Sequence, residues 1–142
     1  MGDVGSQDIS SYARAFRERV RRDKLALDAR RQDALSLARR LGQVLLDEFG
    51  AASVYLFGST ATGRHYRLDS DIDLAVSGIA PEREITTHAQ ITLLVQPGFE
   101  VDILYLEDAP EIFIDRIRKE GVSISKCICQ SVYGHVSFPL EN

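Results

Sequence analysis

The sequence predicts a single α/β domain, with a small sheet of about four strands flanked by helices and preceded by a long helical segment. Three observations carry this reading. Apolar residues recur at helical spacing up to Gly50 and at strand spacing after it. Short strand-type runs then alternate with helical ones, and 142 residues, 44% of them apolar, suffice for one core but not for two.

Taken in order, Ser10 and Ser11 are candidate N-caps of a helical stretch running to about Glu48, with a break expected near Asp28. In its second half Leu35, Ala38, Leu41, Leu45 and Phe49 recur at three- and four-residue steps, so one face packs on a core, and Gly50 ends the helix. Strand-type runs follow at 53–57, 72–76, 100–106 and, with less apolar content, 122–125. Helices are expected between them over 59–65, 82–95 and 110–119, the last with Asp108 as a cap ahead of Pro110. The chain thus divides into a basic helical arm (1–34), a core (35–125) and a tail (126–142) whose Tyr133, Phe138 and Pro139 define no clear element. No internal repeat, low-complexity segment or linker interrupts it.

The net charge of −4 hides an asymmetry. Tyr12 to Arg40 holds ten Lys or Arg against four Asp or Glu, a balance of +6 that leaves −10 for the rest. Such an arm suits nucleic acid or an acidic protein surface, although a charged helical run is more often a solvated face. The longest apolar runs fall far short of the roughly 20 residues needed to cross a bilayer, and MGDVGSQDISS lacks the basic and apolar blocks of a signal peptide. The expectation is a soluble, cytoplasmic protein. Cys127 and Cys129, one residue apart, are poorly placed to staple distant segments and two ligands short of a zinc site, so they read as reduced bystanders.

The chemistry concentrates in LFGSTATGRHYRLDSDIDLAV, residues 56–76. In a strand, residues i and i+2 share a face roughly 7 Å apart, so Asp71 and Asp73 project side by side while Ile72 and Leu74 enter the core. In GFEVDILYLED a third carboxylate, Asp102, interrupts the apolar Val101, Ile103 and Tyr105. If that strand neighbours the first, three carboxylates converge, and their repulsion calls for one or two Mg²⁺ ions with oxygen ligands. Gly58 leaves room for backbone to approach a ligand, and Ser59 starts a helix whose unpaired N–H groups favour an anion. A lone Gly-Ser is usually a turn and a lone Asp-x-Asp a solvated pair; phosphate on one side and metal on the other together describe a nucleoside triphosphate site.

These residues resemble a known group. Gly58-Ser59, the Gly63 turn, SDIDL from Ser70 to Leu74 and the isolated Asp102 look like the nucleotidyltransferase domain of the DNA polymerase β superfamily, and in particular its minimal, antitoxin-type members paired with helical HEPN proteins. The resemblance spans about 35–125 and implies a polymerase β-like fold with a mixed sheet. It implies that Asp71 and Asp73 bind two metal ions, with Asp102 as a further ligand that helps activate the attacking hydroxyl, and that Gly58 and Ser59 hold the β- and γ-phosphates. Eleven residues, Thr60 to Ser70, separate the Gly-Ser from the first aspartate, one more than the family spacing, so a bulge is expected near His65 and Tyr66. Arg64 and Arg67 are candidates for phosphate contacts, Arg64 the one retained in the nucleotide site. His65 lacks an evident partner, and Tyr66 is either a base-stacking platform or a loop anchor.

The resemblance implies Mg²⁺-dependent transfer of a nucleoside monophosphate, with ATP as the donor, to a hydroxyl of a HEPN-type partner protein. Two alternatives stay open: a non-catalytic antitoxin that neutralises its partner by covering it, and a transferase acting on a small molecule or on nucleic acid. Self-association is compatible with the sequence, and a membrane partner is not expected.

Overall fold

The structure, a computed structural model, describes residues 4–125. The tail 126–142, with both cysteines, lies outside the described residues. Its first element, α1 (Val4–Asp47), is a single helix of 44 residues. Ser10 and Ser11 therefore lie within the helix instead of capping it, and no break occurs near Asp28. A helical Asp costs only a few tenths of a kcal/mol, and Lys24 Nζ lies 3.3 Å from Asp28 Oδ2, an i,i+4 pair that supports continuity. Near its C-terminal end the helix packs on the sheet through Ala34, Leu37, Ala38, Leu41 and Leu45, all essentially inaccessible. Each buried leucine is worth about 1.5–3 kcal/mol of transfer from water.

Beyond Gly50 the chain alternates as expected: β1 (Ser53–Phe57), α2 (Gly58–Thr62), β2 (Ile72–Ser77), α3 (Glu84–Leu93), β3 (Val101–Tyr105), α4 (Glu111–Glu120) and β4 (Val122–Ser123). The helix expected over 59–65 is one turn only, because Gly63 takes the left-handed backbone (φ 77) and closes it. A 3₁₀ turn at Pro81–Arg83 precedes α3, and another at Leu106–Asp108 absorbs Asp108. Pro110 occupies the N-cap of α4 with no side-chain cap, so Asp108 does not play that part.

The sheet order is β3-β2-β1-β4, with β1 antiparallel to both β2 and β4 and β2 parallel to β3. Val54, Leu56, Ile72, Leu74 and Val76 meet α1 in the main core, while Phe57, Ala75 and Ile117 form a smaller cluster under α4. The parallel pairing sets Ile72 opposite Val101, Asp73 opposite Asp102 and Leu74 opposite Ile103. Among the described residues, no helix is long and apolar enough to cross a membrane.

Candidate active site

The end of β1 and the starts of β2 and β3 meet at one end of the sheet, and the predicted acidic residues gather there. Ile72 and Leu74 are fully buried, so the pleat turns Asp73 to the opposite face, where Asp102 is its registered neighbour. Asp71 precedes β2 by one residue and lies within hydrogen-bonding reach of Asp102. Phe57 pairs with Asp73 across β1 and β2, which brings Gly58 directly against the carboxylate. Gly58 has φ 80, and a Cβ added there would sit 2.3 Å from Asp73 Oδ2. Only glycine fits that conformation and that contact.

The electrostatics follow from crowding. Burial, then the charges of Asp102 and Asp71, push the Asp73 carboxyl up to about 6, against a smaller opposing pull from Arg116. Burial together with Asp102 and Glu100 also raises Asp71. Their oxygen-only donor set suits a hard divalent cation, and the unrelieved repulsion leaves a cation something to neutralise. Among the described residues no three His, Cys, Asp or Glu side chains already stand together as an ion cage.

Beside the carboxylates, Gly58, Ser59, Thr62, Arg64, His65, Arg116 and Glu120 line a cavity of about 320 Å³. The first backbone N–H groups of α2 have no intrahelical partner. A single turn contributes little dipole, however, so attraction for an anion falls mainly to Arg64 and Arg116. Both are tethered to Glu120, at 3.6 and 3.4 Å. Arg116 was not legible in the sequence: its only signal is its place beside the buried Ile117 on a helix whose docking against β1 and α2 the residue pattern does not reveal.

The cradle is pinned from behind. Thr60 is fully buried and its Oγ1 donates to the Asp71 carbonyl at 3.0 Å, tying the Gly58-Ser59 turn to the head of β2. Arg31 of α1 donates from Nε to the Thr60 carbonyl at 2.9 Å and from Nη2 to that of Ala61 at 3.0 Å. The following loop turns at His65, whose φ of 58 is the one left-handed non-glycine backbone among the described residues. His65 and Arg67 are exposed, Arg67 pairing with Asp69 at 3.4 Å. Tyr66 is half-buried beside Arg30, and burial raises its hydroxyl pKa, which fits a loop anchor better than a stacking platform. A further cavity, about 580 Å³, lies not over the carboxylates but between this loop and Asp23, Ala26 and Leu27 of α1.

A mixed sheet with a Gly-Ser turn leaving β1 and carboxylates heading β2 and β3 defines a nucleotidyltransferase-type fold. The chain belongs to the family "Polymerase beta, Nucleotidyltransferase", whose model matches residues 40–127. Similar solved structures include a toxin-antitoxin with AMP-PNP, 19% identical, covering 64% of this chain and 73% of the other with a TM-score of 0.49. A toxin-antitoxin MntA-HpeT mutant is 17% identical with the same coverage of both chains and the same TM-score. The tri-AMPylated Shewanella oneidensis HEPN toxin in complex with MNT antitoxin is 16% identical, covering 71% of this chain and 73% of the other, with a TM-score of 0.41. No curated protein matches the chain.

Proposed function

We propose that this chain transfers a nucleoside monophosphate, AMP from ATP, to a hydroxyl on a partner protein of the HEPN type, and thereby acts as an antitoxin. The observation that carries the chemistry is the in-register pairing of Asp73 with Asp102, with Asp71 beside them and the Gly58 turn against Asp73. The partner's identity rests on the sequence resemblance. In this reading the core (35–125) does the chemistry and the segment 1–34 serves as an arm.

Asp71, Asp73 and Asp102 would hold two Mg²⁺ ions, whose contribution when bound is to neutralise charge on the phosphates and on the attacking and leaving oxygens. The rest falls to the chain itself. Backbone N–H groups at Gly58 and Ser59 bind the β- and γ-phosphates, and Arg64 and Arg116 orient them. Asp102, the most open of the three carboxylates, accepts the proton of the acceptor hydroxyl. The hydroxyl oxygen forms a bond to the α-phosphorus, the bond from that phosphorus to the β-bridging oxygen breaks, and pyrophosphate departs.

The test incubates the chain with Mg-ATP and a HEPN-type protein from the same cell, and weighs that protein intact by mass spectrometry. Asp71→Asn is expected to lose Mg-ATP binding by calorimetry, whereas Asp102→Asn keeps appreciable affinity but loses transfer by about a hundredfold or more. Neutralisation of the toxin by Asp71→Asn with no added mass in either case would instead identify an antitoxin that works by binding alone.

A further inference from the structure

The face of α1 that packs on the sheet does not end where the sheet ends. Counting back from Leu45, Leu41, Ala38 and Ala34 at helical steps, the same face carries Leu27, Val20, Phe16, Tyr12 and Ile9. The four outermost are exposed by half or more: Ile9 70%, Tyr12 75%, Phe16 58% and Val20 50%. A large apolar stripe left in water on a helix that has already spent its other half in a core marks a surface to be covered.

Three observations say what covers it. First, α1 runs antiparallel to β1, so it leaves the core at the carboxylate end: Arg31 grips the phosphate turn, Arg30 reaches the Gly98 carbonyl just ahead of β3, and Asp23 to Leu27 face the loop joining that turn to Asp71. The remaining 19 residues of the helix, 4–22, extend about 28 Å farther. Second, Arg17 and Lys24 flank the stripe on one side and Arg19 on the other, and residues 9–28 carry six basic groups against three acidic. Pairing two copies of the arm would set arginine against arginine, and a nucleic acid would leave the apolar stripe uncovered. Third, the arm lies outside residues 40–127 matched by the family.

We infer that the exposed stripe Ile9, Tyr12, Phe16 and Val20 is the docking surface for the acceptor protein, which offers an apolar groove rimmed by carboxylates and is thereby held beside Asp102. This rests on the reading that the acceptor is a protein. Docking on the arm adds substrate binding outside the core, and helix rigidity carries the partner to the open end of the site.

The test places p-benzoylphenylalanine at position 16 of the full chain or, as a control, at position 112, where Ile112 is exposed on α4. Each is irradiated in a cell extract supplied with Mg-ATP radiolabelled at the α-phosphate. The protein cross-linked from position 16, and not from 112, is expected to be the one that takes the label. Phe16→Asp with Val20→Asp lowers labelling at least about tenfold while Mg-ATP affinity is unchanged, and the arm's position outside the core leaves the fold intact. Equal labelling by this variant overturns the docking surface and leaves the transfer reading standing, as does a cross-link only to a second copy, to nucleic acid or to nothing. A cross-linked protein that takes no label, yet when purified binds the wild-type chain and loses affinity with Val20→Asp, upholds the docking surface and sinks the transfer reading.

Discussion

Replacing Asp73 by Asn should make the metal-free protein more stable at neutral pH, an unusual outcome for a change at a half-buried position. The Asp73 carboxyl rises from 3.8 to about 6 on folding, so its proton is held more tightly in the folded chain than in the unfolded one. Its contribution to stability is therefore greatest below the unfolded value and is lost as pH rises through about 6. A shift of about two units corresponds to roughly 3 kcal/mol at pH 7.5, and solvent at the open side of the site reduces this to about 1.5–3 kcal/mol. Asn fills nearly the same space without the charge, and so escapes that loss. Urea unfolding in chelator, at pH 7.5 and at pH 4.5, measures it. The variant should lead by the full amount at the higher pH and by about a third of it at the lower, where wild-type Asp73 is already protonated when folded. Adding Mg²⁺ should narrow or reverse the gap, since only the wild type keeps all three carboxylates. A variant no more stable than wild type at pH 7.5, or a lead that does not change with pH, would refute the claim that crowded carboxylates destabilise the metal-free protein.

Gly58→Ala should cost about 1–3 kcal/mol, from a left-handed backbone and a methyl group forced onto the Asp73 carboxylate, and should weaken Mg-ATP binding at least about tenfold; unfolding and calorimetry read the two effects, and undiminished binding would remove this turn from the nucleotide site. Arg116→Gln should raise the Asp73 carboxyl further, because a cation that pulls it down is gone, and should lower Mg-ATP affinity about three- to tenfold, more at low salt than at high. Carbon-detected NMR titration follows the first, and an unmoved Asp73 would show that Arg116 does not reach the site.

Much of the architecture was legible because local chemistry and tertiary packing agree. The strand 53–57 matches β1 (Ser53–Phe57), where a turn-forming Gly50 and a Gly-Ser pair bracket an apolar run. Asp71 and Asp73 were legible as a pair at the head of a strand and Asp102 as the interruption of an apolar one, and their meeting depends only on β2 and β3 being neighbours. What escaped depended on contacts between distant segments. Ser10 and Ser11 look like caps until a longer helix absorbs them, and Asp108 looks like a cap until a 3₁₀ turn takes it. The arm is legible by its charge, and its interleaved arginines mask the apolar stripe at Ile9, Tyr12, Phe16 and Val20. Arg116 enters the site only through the docking of α4, which no spacing in the sequence announces.

The parallel register of β2 and β3 has a consequence for how the protein comes to be correct. If β3 slid by one residue, Asp102 would turn toward the apolar layer and an aliphatic neighbour, Val101 or Ile103, would take its place opposite Asp73. Burying that carboxylate while stranding an apolar side chain in water costs several kcal/mol. Misaligned chains are thus rejected by oil and water before any nucleotide is met, and folding itself inspects the site. Fidelity of assembly and readiness for chemistry rest on the same two side chains flanking Asp102, neither of which needs to touch a substrate.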